Sequence, residues 1–160
     1  MTLAIIPLMP IERRQLHVIR LRAIRTALIL LVVAAAGEYF FEEDLPMRGL
    51  ILGPVALWGL WIAVIAPPRR WRRWGYAFTG SELHVAHGLI TRVHTIVPVL
   101  RVQHIDVTQD VLERLFGVAT LVLHTAGSDH NAVHLSGLSR QGAEDIRDAI
   151  RQRIGSATHD

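Results

Sequence analysis

The chain contains no cysteine and no lysine among its 160 residues. Without cysteine it can form no disulfide, no thiolate zinc site and no cysteine nucleophile. Because lysine is missing, all 17 basic side chains are arginines, which is typical of a GC-rich coding sequence. Candidate chemistry must therefore be sought among arginine, histidine, carboxylate and hydroxyl groups.

The net charge of +3 is unevenly distributed along the chain. Residues 1–75 contain ten arginines and five acidic residues, a balance of +5, whereas residues 76–160 contain seven arginines and nine acidic residues, a balance of −2. A nucleic-acid-binding protein carries its basic patch on the folded domain. Here the basic half is also the apolar half, which argues against nucleic acid as a partner and favours contact with anionic lipid headgroups.

Two apolar runs lie in this basic half. Residues 49–66 contain no charged side chain and, as an α-helix, extend about 27 Å, close to the hydrocarbon thickness of a bilayer. The first run is shorter and reaches spanning length only when the helix is extended to residues 23–41. The sequence therefore predicts a transmembrane helical hairpin over residues 23–66, with spans at about 23–41 and 49–66.

The charges that flank these runs predict their orientation. Five arginines precede the first run and four follow the second, whereas the connecting loop has four acidic residues and one arginine. By the positive-inside rule, both termini are predicted to be cytoplasmic and the protein is predicted to be a multi-pass membrane protein. The residues predicted to contact the membrane surface are Arg69, Arg70, Trp71, Arg72, Arg73 and Trp74.

A cleaved signal peptide is the competing interpretation of the first run. Arg13 and Arg14 are similar to a twin-arginine signal, and the alanines at 34–36 are similar to a cleavage site. The arginine pair lies far from the apolar stretch, however, and three further arginines interrupt the gap. We therefore favour the membrane hairpin.

From residue 76 onward the hydrophobic period changes to two, which is typical of β-strands. Leu83 and Val85 alternate with polar residues after a turn at Gly80, and six or seven such strands follow one another. The chain then ends in an amphipathic helix that Ser139 caps and Gly155 stops. The sequence predicts a cytoplasmic segment at 1–22, a small β-barrel or sandwich with a covering helix at 74–155, and a tail at 156–160.

The stretch "RVQHIDVTQDVLERLFGVATLVLHTAG", residues 101–127, together with the preceding "LHVAHGLITR", resembles the bacterial pleckstrin-homology-like, membrane-flanked domain family, in particular its YdbS-like branch. The resemblance implies an α+β membrane protein, with a two-helix transmembrane hairpin followed by a split β-barrel of two antiparallel sheets that a C-terminal helix caps. It also implies a location in the bacterial cell (inner) membrane and a link to envelope stress or to resistance against secreted antimicrobials.

Seven histidines between His84 and His134 raise the question of a metal site. Strand alternation predicts that His84 and His94 face outward, and no histidine pair has helical spacing with a carboxylate. The serines lie at turns or caps, without a nucleophile–base arrangement. The sequence therefore predicts no metal, no cofactor, no catalytic residue and no enzyme.

A docking module remains as the main hypothesis. Its predicted partner is another membrane protein, such as a relative with several of these domains, and assembly of several copies is left open. An anionic-lipid headgroup sensor is the alternative, although residues 76–88, where classical pleckstrin-homology domains have basic side chains, contain no arginine. The turn at 127–131 is a further candidate contact. The predicted docking residues are Arg101, Gln103, Asp106, Gln109 and Asp110.

Overall fold

The computed structural model describes residues 7–41, 47, 49–88, 93–125 and 132–158. The chain divides into two compact units. The β unit consists of Met1–Gln15 together with Arg70–Asp160, and the helical unit is Leu16–Arg69. The predicted turn at 127–131 lies outside the described residues.

Two helices, α1 (Gln15–Phe40) and α2 (Leu52–Arg72), account for the helical unit. They come close at small residues, since a Cβ atom added to Gly59 would lie 3.4 Å from the Cβ of Ala27. Within the part of the chain that the structure describes, α2 is the one helix that is long and apolar enough to cross a membrane. The first predicted span, at 23–41, falls almost entirely in α1, which does not meet the same criterion.

The first turn of α2 receives its hydrogen-bond acceptors from α1. The carboxylate of Glu38 accepts from the backbone N–H of Gly49 and from that of Leu52, the latter at 3.1 Å. Residue 51, which precedes the helix, provides no side-chain cap. The negative charge of Glu38 therefore lies where unpaired amides and the helix dipole favour an anion.

Near its end, α2 contains a π-helical turn at Trp61–Ile65, directly before Pro67 and Pro68. A proline within a helix has no N–H to donate, and its ring contacts the carbonyl group four residues earlier. The wider π turn gives these carbonyl groups room, so that the helix continues to Arg72. The helix thus continues six residues beyond the predicted span, which ends at residue 66.

Seven strands form the two antiparallel sheets of the β unit. The first sheet has the order β1-β2-β3-β4, and the second has the order β5-β6-β7. The strands are β1 (Met9–Pro10), β2 (Gly75–Phe78), β3 (Glu82–His87), β4 (Val93–Pro98), β5 (Val102–Thr108), β6 (Val118–Thr125) and β7 (Ala132–Ser139).

The short strand β1 was not predicted. Met9 pairs with Tyr76 and Pro10 with Gly75, so β1 is the neighbour of β2 in the first sheet. The following residues continue along the second sheet, where the backbone N–H of Glu12 donates to the carbonyl oxygen of Gly137 at 2.8 Å. The predicted separate segment at 1–22 is thus divided, because its described residues 7–15 belong to the β unit and residues 16–22 to the helical unit.

The core of the β unit lies between the two sheets and the C-terminal helix α4 (Arg140–Thr158). The hydroxyl of Ser139 accepts from the N–H of Gly142 at 3.0 Å, which confirms the predicted N-cap. The apolar face of α4 packs on the sheets, with Ala143 and Ile150 fully buried. Gly155 does not end the helix, since helical backbone continues to Thr158; an exposed glycine in α-conformation weakens a helix but does not break it.

Helix α3 (Val111–Phe116) joins β5 to β6 through a capping box. The Asp110 carboxylate accepts from the N–H of Glu113 at 2.7 Å, and the Glu113 carboxylate accepts from the N–H of Asp110 at 3.2 Å. Gly117 ends the helix in the left-handed conformation, at φ 67°. Thr120 of β6 donates to the other oxygen of Glu113 at 2.9 Å, so the buried carboxylate holds α3 against the second sheet.

Candidate functional site

The six predicted membrane-contact residues lie at the end of α2 and in the two-residue link to β2. Arg69–Arg72 belong to the last turn of the helix, where cations complement the helix dipole. The guanidinium of Arg70 lies over the ring of Trp74, 5.9 Å from its centroid. The indole N–H of Trp71 donates to the backbone oxygen of Glu12 at 3.1 Å. The arginines are exposed, whereas both tryptophans are held by the β unit.

Trp74 and His87 form an aromatic pair at the end of β3, in an edge-to-face arrangement with ring centroids 5.7 Å apart. A cavity of about 670 Å³ lies on one side of this pair and includes Arg70 and Arg101 in its lining. A second cavity, of about 450 Å³, includes Arg72 and Arg73. Among the described residues that line the two cavities, none is acidic. This combination of arginines, histidines and aromatic surface suits an anion.

The five predicted docking residues lie on or next to β5, an edge strand of the second sheet. Arg101 precedes β5 in a 3-10 turn, and the Gln103 side chain is exposed on the strand. Gln109 donates from Nε2 to the carbonyl oxygen of Val118 at 2.7 Å, and Asp110 caps α3. Two of the five thus have local structural roles, while Arg101, Gln103 and Asp106 face the surrounding medium.

Asp106 lies between two imidazole rings on the outer face of the second sheet. His104 and His124 are cross-strand partners, and their Nε2 atoms lie 3.0 and 3.4 Å from the two carboxylate oxygens of Asp106. All three side chains are substantially exposed. Across the part of the chain that is described, no three His, Asp or Glu side chains are arranged to hold a metal ion. The cluster is therefore a charged surface feature of the β5 edge.

His84 was predicted to face outward, and this prediction was wrong about its environment. It lies on the face opposite Leu83 and Val85, as alternation requires, but it is only 5% exposed. Its Nε2 is 3.2 Å from a carboxylate oxygen of Glu82, without the alignment of a hydrogen bond, and the ring lies 5.5 Å from that of His94. Strand alternation gives the direction of a side chain, but it does not reveal what covers it.

Tyr76 of the first sheet has a raised pKa. Burial, with a smaller contribution from the negative charge of Glu12, raises the pKa of Tyr76 above the ordinary value for tyrosine. Tyr76 packs against the core and pairs with Met9, so the segment that carries Glu12 also provides its strand partner. No sequence signal for this contact exists, because it depends on the pairing of β1.

Sequence comparison identifies the family. The profile of the Bacterial PH domain family matches residues 19–154. The chain belongs to this family. It is 31% identical over 134 residues to the UPF0699 transmembrane protein YdbS of Bacillus subtilis, a match that covers 83% of the chain and 81% of that protein. This confirms the resemblance inferred from residues 101–127.

A second relative has a different size. The chain is 28% identical over 100 residues to the UPF0699 transmembrane protein YdbT of Bacillus subtilis, covering 61% of the chain but 20% of that protein. No solved structure matches the chain. The family, the apolar helix α2 and the names of these relatives together make this chain a membrane-associated protein with a PH-like domain.

Proposed function

We propose that this protein is a non-enzymatic docking module, in which a membrane hairpin anchors a cytoplasmic PH-like domain that binds another membrane protein. The observation that supports this proposal most directly is that β5 is an edge strand and leads into α3. Among the described strands, only β6 pairs with β5, and α3 exposes the side chains of Val111 and Leu115 by 82% and 72%. An open strand edge beside exposed apolar side chains is typical of a surface that a partner covers.

The pairing of β1 supports a hairpin anchor with two spans. Pro10 and Gly75 are cross-strand partners, so their Cα atoms lie about 5 Å apart. The chain between them therefore begins and ends on the same side of any membrane that it crosses. If α2 crosses the bilayer, the chain must cross an even number of times, and α1, with 26 residues, is the helix available for the other crossing.

The charge distribution supports a cytoplasmic location for both termini. Arginines flank the outer ends of α1 and α2, and acidic residues lie in the connection between them. Reporter fusions at the two termini test this arrangement, and both are expected to report the cytoplasm. An external C-terminus would contradict the proposed topology.

The proposed partner is a second membrane protein, and a longer relative with more than one domain of this kind is our first candidate. The match to YdbT supports this choice, since 100 aligned residues make up only 20% of that protein. The process, envelope stress or resistance against secreted antimicrobials, is proposed on family resemblance alone.

Site-specific photocrosslinking in native membranes tests the docking surface. A photoreactive residue at position 103 of the intact protein should give an adduct with a second membrane protein, whereas the matched control position, the exposed Gln152 of α4, should give none. An adduct of exactly two copies would indicate a homo-oligomer instead. Equal labelling from both positions would contradict a specific docking edge.

Charge substitutions provide an independent test. Val111→Glu and Leu115→Glu should leave the β unit folded, since both side chains are largely exposed, but should abolish co-purification of the partner in mild detergent. Ile96→Glu is the matched control, because Ile96 is also an exposed apolar side chain but lies on the other sheet. Loss of the partner in all three variants would indicate a non-specific effect.

A further inference from the structure

The aromatic pair of Trp74 and His87 lies between two arginine-containing cavities, and of the predicted docking residues only Arg101 lines one of them. Trp74 and His87 line both cavities; one also includes Arg70 and Arg101, and the other Arg72 and Arg73. We propose that these cavities are two subsites for phosphate groups, and that the ligand is the phosphodiester headgroup of an anionic phospholipid. This inference does not rest on the docking proposal.

The side chains suit phosphate in number and kind. Each cavity contains two arginines, which are the donors best matched to a phosphate, and no acidic residue among those described lines either one. Thr95 and Thr125 add hydroxyl groups to the larger cavity. The Nδ1 atom of His87 is buried and has no hydrogen-bond partner among the described residues, so the wall between the subsites retains an unused polar atom.

Helix geometry allows these arginines to lie at the depth of lipid headgroups when the span of α2 ends at Ala66, as the sequence predicts. The last apolar residue of the span is Ala66, and at 1.5 Å per residue Arg70 and Arg72 lie roughly 6 and 9 Å farther along α2. The headgroup layer on each side of a bilayer is about 5–8 Å thick. If the span of α2 ends at Ala66, the headgroup layer extends along the helix to Arg70 and Arg72, which line the cavities.

Arg101 is the diagnostic residue. It follows the arginines of α2 by almost thirty residues in the sequence, and only the fold brings it to the same cavity as Arg70. A diffuse attraction between the arginine-rich end of α2 and an anionic membrane would not depend on Arg101. Binding of a phosphate group in the cavity would depend on Arg101. The site does not require an arginine within the first sheet. Its arginines come from the end of α2 and, in the case of Arg101, from the turn before β5.

The experiment uses the intact protein in a neutral maltoside detergent. Diphosphatidylglycerol, phosphatidylglycerol or phosphatidylcholine is titrated in, and an apparent Kd is obtained from the rise in Tm. Diphosphatidylglycerol, with two phosphodiesters, is expected to bind more tightly than phosphatidylglycerol, and phosphatidylcholine should have little effect. Glycerol phosphate forms a parallel arm; stabilisation by it at the same concentration would identify a soluble phosphate compound as the source of the same chemistry.

Variants decide whether the cavities hold the ligand. Arg101→Gln and Arg70→Gln are each expected to weaken binding about fivefold, the effect of roughly 1 kcal/mol per arginine. Arg72→Gln, in the second subsite, should reduce the advantage of diphosphatidylglycerol over phosphatidylglycerol. Arg140→Gln is the charge-matched control, since Arg140 pairs with Glu144 on α4 and lines neither cavity; its apparent Kd should stay within twofold.

Two results would overturn the proposal. One is an apparent Kd for Arg101→Gln equal to that of Arg140→Gln, and the other is a Tm that no phosphate compound raises. Arg101→Lys guards against a folding artefact, because it keeps the charge and should retain most of the binding. An Arg101→Lys variant that binds as weakly as Arg101→Gln, while its lipid-free Tm equals that of the unmodified protein, would show that the guanidinium fork and not charge alone holds the phosphate.

Discussion

Replacing Glu113 by alanine is expected to destabilise the β unit by about 2–4 kcal/mol. The Glu113 side chain is 4% exposed, and its carboxylate accepts two of the hydrogen bonds that hold α3 in place. One comes from the backbone N–H of Asp110 and completes the capping box. The other comes from the hydroxyl of Thr120, which also contacts the hydroxyl of Ser136 at 3.0 Å. The truncation removes both acceptors and leaves a cavity.

The magnitude follows from these contacts. Loss of the reciprocal cap costs about 0.5–1 kcal/mol, and loss of a buried hydrogen bond to a charged acceptor costs about 1.5–3 kcal/mol. Glu113→Gln retains the size of the side chain and one carbonyl acceptor for Thr120, so it should cost about half as much. For a unit of roughly 100 residues, 1 kcal/mol corresponds to about 4–8 °C in Tm. The Tm of the alanine variant should therefore fall by roughly 10 °C or more.

Near-UV circular dichroism of the intact protein in detergent follows the melting of the β unit, and hydrogen exchange at the amides of α3 reports its attachment. Glu144→Ala is the matched control, because Glu144 forms an exposed i,i+4 pair with Arg140 and should contribute only about 0.3–0.5 kcal/mol. The reasoning is refuted if Glu113→Ala lowers the Tm no more than Glu144→Ala does, since the buried carboxylate would then not anchor α3.

Three further predictions concern other parts of the chain. Glu38→Gln should increase hydrogen exchange at Gly49 and Leu52 and lower stability by about 0.5–1 kcal/mol, because a neutral amide is a weaker acceptor at the start of α2. Gly59→Leu should disturb the packing of α2 on Ala27, whereas Gly53→Leu should be tolerated, since an added Cβ meets nothing within 4 Å there; equal Tm values would contradict this. Because the pKa of Tyr76 is raised, the folded state keeps its phenol proton longer than the unfolded state, so unfolding free energy should fall as pH rises above about 10. The chain has no lysine, and Tyr76→Phe should flatten this alkaline loss in urea titrations, whereas Tyr39→Phe should not.

Much of the β unit could be predicted because its strands alternate and its helix is amphipathic. Leu83 and Val85 lie in the core, and Ser139 caps α4, as their positions in the sequence indicated. Contacts between distant segments could not be predicted. The pairing of Met9 with Tyr76 spans more than sixty residues and involves a strand of two residues, which is too short to give a periodic signal.

The candidate sites show the same difference between local patterns, which the sequence indicates, and contacts between distant segments, which it does not. The arginines at the end of α2 stood out as a charge cluster in the sequence, but nothing there placed Arg101 beside Arg70. Gln109 and Asp110 were chosen as exposed polar residues, and their hydrogen bonds to Val118 and Glu113 emerge only when α3 packs against β6. A glycine contact was equally hidden: Gly137 has φ 88°, and an added Cβ would lie 2.8 Å from the Cγ of Gln15.

The pairing of β1 with β2 supports the proposed membrane topology independently of charge. The arginine bias indicates which side of the membrane the outer ends of the apolar runs face, but it would be equally consistent with a single span after a cleaved leader. Strand pairing between Pro10 and Gly75 argues against a cleaved leader, because cleavage near residues 34–36 would detach β1 from its sheet. The N-terminal segment must therefore remain in the mature protein for the first sheet to be complete. The strand pairing thus favours the proposed membrane hairpin over the signal-peptide interpretation, independently of the spacing of the arginines.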